Sequence, residues 1–171
     1  MDRTMDRLVR GFPGHPLHPP LTDATIGMYT IASALGVISY AGWVERPAAH
    51  GAWLALIGGL IVTLPTAATG LADWITLEWG SATWRTATAH LTAMLSATTL
   101  FALAAWQDHA AYNAETVSGW GLVLLVVGFA TLMLGGWLGG SIVFVHGVRV
   151  LNTPNTTSTD AATPHAREVP R

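Results

Sequence analysis

The sequence predicts an all-α integral membrane protein, a bundle of four transmembrane helices running up-down-up-down with both termini on the cytoplasmic side. Three observations predict this fold. Of the 171 residues, 51% are hydrophobic and only 11% are charged, whereas roughly 25% of the residues in soluble domains are charged. Four uncharged apolar runs are each long enough to cross a hydrocarbon core of about 30 Å. Nearly all of the basic residues fall on one side of the resulting topology.

The four runs cover residues 24–44, 52–72, 86–105 and 120–145. Short connections join them, and short connections favour antiparallel neighbours in a bundle. Pro65 predicts a break within the second run. Residues 1–23 form an N-terminal segment that contains the motif GHPLHPP, and residues 151–171 form a polar, proline-bearing tail that we expect to be disordered. Residues 24–150 are therefore the membrane domain, and we see no internal repeat in them.

The arginines predict the orientation of the bundle. Four crossings return the chain to the side on which it began, and Arg46 is the only arginine expected on the opposite side. The positive-inside bias then places both termini in the cytoplasm. We expect a multi-pass membrane protein, with lipid and not nucleic acid as its surroundings. The arginines on the side of the termini are Arg3, Arg7, Arg10, Arg85, Arg149, Arg167 and Arg171.

Several kinds of chemistry are excluded by composition. The chain has no cysteine, which excludes disulfides and thiolate ligands, and no lysine, which excludes Schiff-base chemistry. It carries no glycine-rich phosphate loop, no G-x-S-x-G and no H-E-x-x-H. We therefore do not expect a stand-alone enzyme.

Histidines and aspartates converge on the end of the bundle where the termini lie. His90 is the most informative of them, because it lies four residues inside the third run, and an ionisable residue at that depth usually faces the bundle interior and has a partner. The other residues at this end could be ordinary interfacial groups. The six candidate ligands are His15, His18, His90, His146, Asp23 and Asp73.

The motif GHPLHPP predicts how its two histidines are oriented. His15 and His18 each precede a proline, which favours extended or polyproline II backbone. That conformation repeats every three residues, so both imidazoles should point at the same target. Thr22 or Asp23 is then expected to cap the first helix.

Glycines on the fourth helix allow two interpretations. Gly135 and Gly139 share a stripe with His146. They could serve close helix packing, including packing against a second copy of the chain. They could also leave room for a flat ligand above His146.

Three functions are compatible with these residues. The first is a cofactor-binding redox subunit holding haem b between His90 and His146, with His15 and His18 at a second centre or metal site. Arg85 and Arg149 would neutralise propionates, while Asp23 and Asp73 would orient imidazoles. A bare iron, copper or zinc ion at the four histidines is an alternative ligand. The second function is a membrane scaffold or assembly partner without cofactor. The third, an ion or solute transporter subunit, fits less well because the half of the bundle away from the histidines is almost wholly apolar.

The sequence resembles the bacterial four-helix membrane proteins of domain of unknown function 2231. The resemblance rests on GHPLHP near the N-terminus, GLADW at the end of the second helix, a histidine early in the third helix, and HGVRV after the fourth. It spans roughly residues 14–150. It implies the four-helix fold and a location in the bacterial inner membrane. Since some relatives are fused to a Rieske-type iron–sulfur domain, it also implies a redox partner such as a Rieske-type protein.

Overall fold

The computed structural model describes residues 3–109, 115–151 and 155–163, with side chains from residue 6 onward. Four long helices dominate it, and each is long and apolar enough to cross a membrane, which confirms the predicted fold class. Only 28% of the apolar window of each helix is buried within the chain, so most of each helix surface is left for lipid or another protein. The elements are α1 (Arg3–Arg10), β1 (Gly11–Phe12), β2 (His15–Pro16), α2 (His18–Tyr40), α3 (Glu45–Trp74), α4 (Ala82–Gln107), α5 (Gly119–Phe144) and α6 (Ser158–Ala162).

Two helical hairpins make up the bundle. In the first hairpin, Gly59 of α3 lies against the ring of Tyr29 on α2. In the second, Gly128 of α5 lies against the ring of Phe101 on α4. A glycine at each contact removes the side chain that would hold the helices apart, as is typical of close helix packing in lipid. The hairpins meet where Tyr29 stacks on Phe101, with ring centroids 4.1 Å apart and an interplanar angle of 14°.

The four helices form a ring with antiparallel neighbours. Gly36 near the end of α2 contacts Leu125 near the start of α5. Trp53 near the start of α3 donates a hydrogen bond to the carbonyl of Ala105 near the end of α4 (3.2 Å). We call the end where α2 and α4 begin and α3 and α5 end the histidine end, and the other the opposite end.

The first transmembrane helix begins earlier than predicted. α2 starts at His18 with Leu17 as its N-cap, and no side chain caps it. The predicted caps Thr22 and Asp23 lie inside the helix. Pro19 and Pro20 are accepted there because the first turn of a helix has no partner for its backbone N–H groups. His18 is therefore helical and not extended, so the prediction of polyproline II geometry was wrong for this residue.

Pro65 does not break α3, contrary to expectation. The helix continues from Glu45 to Trp74 with Pro65 inside it. In transmembrane helices, nearby hydroxyl groups help to satisfy the backbone around a proline. The hydroxyl of Thr69 donates to the carbonyl of Pro65 (3.0 Å), and that of Thr66 donates to the carbonyl of Val62 (2.8 Å).

The segments outside the bundle carry some regular structure of their own. Before α2, the strands β1 and β2 pair antiparallel, with Phe12 opposite His15. In the tail, where we expected disorder, the residues that the structure describes include the short helix α6, capped by the Thr157 side chain. The remainder of the tail, residues 152–154 and 164–171, lies outside the described residues.

Candidate histidine site

His18 is fixed against α3 by a hydrogen bond and a glycine. Its Nδ1 donates to the backbone carbonyl of Thr66 at 3.0 Å. Its ring covers Gly70, where an added Cβ would lie 2.7 Å from the ring Cε1. Any side chain at position 70 would therefore push the imidazole away. The first residue of α2 and the last two turns of α3 together set the position of this ring.

His90 is fixed against α5 in the same way. Its Nδ1 donates to the backbone carbonyl of Gly135 at 2.8 Å. Its ring covers Gly139, where an added Cβ would lie 3.1 Å from the ring Cε1. His90 is partly buried, as its position four residues inside the third apolar run indicated.

These contacts determine which ring nitrogen of each histidine carries the proton. A carbonyl oxygen can only accept, so Nδ1 must be the protonated nitrogen in both rings. In a neutral imidazole the lone pair is then on Nε2. The Nε2 of His18 lies 3.4 Å from the Thr22 hydroxyl, but that hydroxyl donates to the carbonyl of His18 itself (2.9 Å).

Asp73 joins three segments of the chain at the histidine end. Its carboxylate accepts a hydrogen bond from Nε of Arg10 (2.8 Å) and lies 3.8 Å from Nε of Arg149. Arg149 also donates to the backbone carbonyl of Arg10. Burial works to lower the pKa of Arg10, but the hydrogen bonds and charges of Asp73 and Asp6 outweigh it and raise that pKa. We call Arg10, Asp73 and Arg149 the arginine clasp.

Asp73 was expected to orient an imidazole, but in the structure it is part of the arginine clasp. The carboxylate accepts its hydrogen bond from Arg10 and not from an imidazole. Arg149, expected at a haem propionate, is likewise held within the clasp. The N-terminal segment and the segment after α5 are thereby tied to the end of α3.

His146 contacts α4 and not a second histidine. Its Nδ1 lies 3.3 Å from the hydroxyl of Thr83, and its Nε2 lies 3.0 Å from the hydroxyl of Thr86. Thr86 is one helical turn before His90, so His146 is a neighbour of the site. The contacts of His90 are to Gly135 and Gly139 of α5, and not to His146.

The remaining candidates point elsewhere. His15 contacts the backbone carbonyl of Ala161 in the tail (3.1 Å), so it does not share a target with His18. Asp23 on α2 and Arg85 on α4 are exposed. Within the described residues, no group of three or more histidine, aspartate or glutamate side chains is arranged to hold a metal ion.

The two glycines expected beside a flat ligand are packed by α4. An added Cβ at Gly135 would lie 2.6 Å from the sulfur of Met94, and Gly139 lies under His90. The side chains of Met94 and His90 therefore occupy the space in which a flat ligand was expected. By contrast, a Cβ at Gly136 would meet nothing within 4 Å, and at Gly140 only Phe144 of the same helix.

Two of the buried hydroxyl groups near His18, those of Thr25 and Thr69, were missed by sequence reasoning. Thr25 and Thr66 are buried and their hydroxyls are 3.0 Å apart. Thr69 is also buried and lies 3.2 Å from Nδ1 of His18. The signal was available, because Thr66, Thr69 and Gly70 share one face of α3 by three- and four-residue spacing.

A buried carboxylate at the opposite end was also missed. Asp108 is 4% exposed and accepts hydrogen bonds from the backbone N–H and the hydroxyl of Ser118 (3.3 and 2.9 Å). Its carboxylate fills the space beside Gly121. Burial raises the pKa of Asp108, and the hydrogen bonds from Ser118 offset only part of that rise.

Comparison with known proteins identifies a family but no function. The family described as predicted membrane protein (DUF2231) matches residues 14–152, which include all four long helices and the segment carrying Arg149. No curated protein matches the chain, and no solved structure does.

Proposed function

The chain belongs to the DUF2231 family of predicted membrane proteins, and we propose that it is a membrane-bound redox or electron-transfer subunit that binds haem b or a transition metal ion through His18 and His90. One observation carries the proposal: each ring donates Nδ1–H to a backbone carbonyl, which leaves its Nε2 lone pair for a ligand. Metal-ligating histidines usually donate their other ring N–H to a carbonyl or carboxylate in this way.

The donor set suits haem iron particularly well. Haem brings four porphyrin nitrogens to its iron and takes its axial ligands from the protein, often histidine. Two imidazoles from two different helices supply such ligands in helical bundles. When bound, haem would supply one-electron chemistry. The protein would hold both imidazoles in one tautomer and exclude water with the surrounding helices. A bare ion would need further ligands, such as water or groups outside the described residues.

Placement and partners complete the proposal. We propose that the histidine end faces the cytoplasm of a bacterium, because Arg10, Arg85 and Arg149 lie there and Arg46 lies at the opposite end. The electron-transfer partner would be a redox protein of the Rieske type. The open faces of Gly136 and Gly140 would allow α5 to pack against a second copy.

The test is an absorption spectrum of the protein purified in detergent, oxidised and reduced, with elemental analysis of the same sample and titration with haemin, Cu²⁺ and Zn²⁺. The variants His18→Gln and His90→Gln keep a side-chain N–H for the carbonyl but lack an imidazole. We expect each to lower ligand affinity by about tenfold or more, the loss usual even when only a supporting residue is removed.

His50→Ala is the control, because His50 lies in the first turns of α3 at the opposite end. It should leave spectrum and metal content unchanged. A protein that contains no haem or metal and binds neither on titration would contradict the proposal and favour the scaffold function. If His50→Ala loses the ligand and His90→Gln fully retains it, the ligand binds at the opposite end and the proposed site is wrong.

A further inference from the structure

The two hairpins place similar residues at corresponding positions. Three residues of α2 each have a counterpart in α4 at the same separation along the chain, and the two side chains of each pair are of one kind. All but the histidines are fully buried, at 0% exposure. The pairs are His18 with His90, Tyr29 with Phe101, and Ala32 with Ala104.

The second helices correspond as well. Three residues of α3 each have an identical counterpart in α5, again at one constant separation along the chain. Leu56 and Leu125 are 1% and 0% exposed, and each of the four glycines lies under a side chain of the preceding helix. The pairs are Leu56 with Leu125, Gly59 with Gly128, and Gly70 with Gly139.

The contacts between the helices repeat with the residues. In both hairpins the histidine ring covers a glycine and its Nδ1 donates to the carbonyl four residues before that glycine, at Thr66 or Gly135. The aromatic ring of each hairpin covers the earlier glycine. An added Cβ would lie 2.6 Å from Cε1 of Tyr29 at Gly59, and 3.1 Å from Cε1 of Phe101 at Gly128.

Corresponding residues also meet one another. Tyr29 stacks on Phe101, and His18 and His90 both lie at the histidine end, in the first helix of their hairpins. In an object with two-fold symmetry, a residue can contact its own equivalent only near the symmetry axis. Since α2 and α4 both begin at the histidine end, that axis runs along the bundle, with the aromatic stack in its middle.

We infer that the bundle is a duplicated helical hairpin in which His18 and His90 are equivalent residues, so that a metal-centred ligand at this end would be held by one equivalent imidazole from each half. The nature of the ligand rests on the proposed function, whereas the duplication does not. His146 is outside the symmetric pair, since the corresponding residue of the first hairpin is Leu77.

The first experiment measures ligand binding to the full chain in detergent, by titration with haemin. His18→Gln and His90→Gln should lower affinity by the same factor, within about threefold, and by at least about tenfold each. His146→Gln, the control at the same end, should leave affinity unchanged. Loss of affinity in only one of the first two variants, or an equal loss in His146→Gln, would overturn the inference.

The second experiment needs no ligand. Gly70→Ala and Gly139→Ala should each lower the thermal unfolding temperature, by roughly 2–10 °C, because the new methyl group forces a histidine ring aside. Gly27→Ala, with nothing within 4 Å of its Cβ, is the matched control on α2 and should cause no loss. If one of the first two variants behaves like Gly27→Ala, the hairpins are not equivalent and the inference is wrong.

The two experiments separate the claims. A chain that binds neither haem nor metal, yet is destabilised equally by Gly70→Ala and Gly139→Ala, contradicts the proposed function and supports the duplication. A chain that binds haem through only one of the two histidines supports the cofactor-binding part of the proposed function and overturns the symmetric site.

Discussion

At the scale of single residues, the histidines of this end differ in the group that accepts the hydrogen bond from the ring N–H. His18 and His90 donate to backbone carbonyls, which cannot donate in return, so the identity of the protonated nitrogen is fixed. The Thr86 hydroxyl donates to the carbonyl of Ala82 (3.1 Å), so it accepts from Nε2 of His146, and the Thr83 hydroxyl then donates to Nδ1. The first two rings, when neutral, therefore leave the lone pair on Nε2, whereas His146 carries its proton on Nε2.

The buried carboxylate of Asp108 makes stability depend on pH. Its pKa is raised above the usual value of 3.8 by burial, so the folded protein holds the proton to higher pH than the unfolded chain. Below about pH 3.8 the group is neutral in both states. As the pH rises from there towards the folded pKa, the unfolded state ionises first, and the contribution of Asp108 to stability is lost over that window.

The variant Asp108→Asn should therefore remove this part of the pH dependence. The amide oxygen can still accept from Ser118, while the ionisable group is gone. Thermal unfolding in detergent between pH 4 and 7 should show the wild type losing more stability than the variant as pH rises. Parallel curves for the two proteins would show that Asp108 does not titrate differently on folding. Asp23→Asn, at an exposed position, is the control.

At the scale of elements, the arginine clasp ties the N-terminal segment to the bundle. The side chains of Arg10 and Asp73 are only 18% and 16% exposed, so removing one partner leaves the other partly buried without its counter-charge. Hydrogen bonds to charged groups contribute about 1.5–3 kcal/mol. Asp73→Ala should lower the free energy of unfolding by about that amount.

Limited trypsin digestion provides a second measure of the clasp. In the wild type, Arg10 is held by its guanidinium and its carbonyl, so cleavage after it should be slow. In Asp73→Ala, cleavage after Arg10 should become faster. Asp23→Ala is the matched control on α2, because Asp23 is exposed. Equal digestion of the two variants would show that the ion pair does not hold the segment.

Sequence reasoning identified the long helices but not their ends. Hydropathy locates the part of a helix that crosses lipid, whereas α2 and α4 continue beyond it to His18 and Ala82, where polar residues and prolines are still helical. Pro65 was expected to break α3 by a rule drawn from helices in general. The helix continues because packing against α2, where Gly59 lies against Tyr29, outweighs the loss of one backbone hydrogen bond.

At the scale of the whole molecule, the pairing of His18 with His90 could not have been predicted from the sequence. Sequence placed both residues at one end, which is correct, but three-residue spacing suggested that His15 and His18 act together. The equivalence of the two hairpins is hidden because the buried positions differ in polarity. Thr25, Ser33 and Thr66 of the first hairpin correspond in position to Ala97, Ala105 and Gly135 of the second. The two hairpins make the same contacts with side chains of similar shape, and these contacts are visible only in the structure.

The orientation of the molecule gives the last prediction. A reporter fused after Thr153 should be active only in the cytoplasm, because the histidine end carries the arginines of α1, α4 and the segment after α5. A reporter inserted after Gly42, between α2 and α3, should be active only outside it. Changing Arg85 and Arg149 to glutamine while adding arginines beside Arg46 should weaken this preference, since juxtamembrane positive charge sets it. If both reporters are active on the same side, the number of membrane crossings is wrong; if their activities are exchanged, the histidine site faces outward.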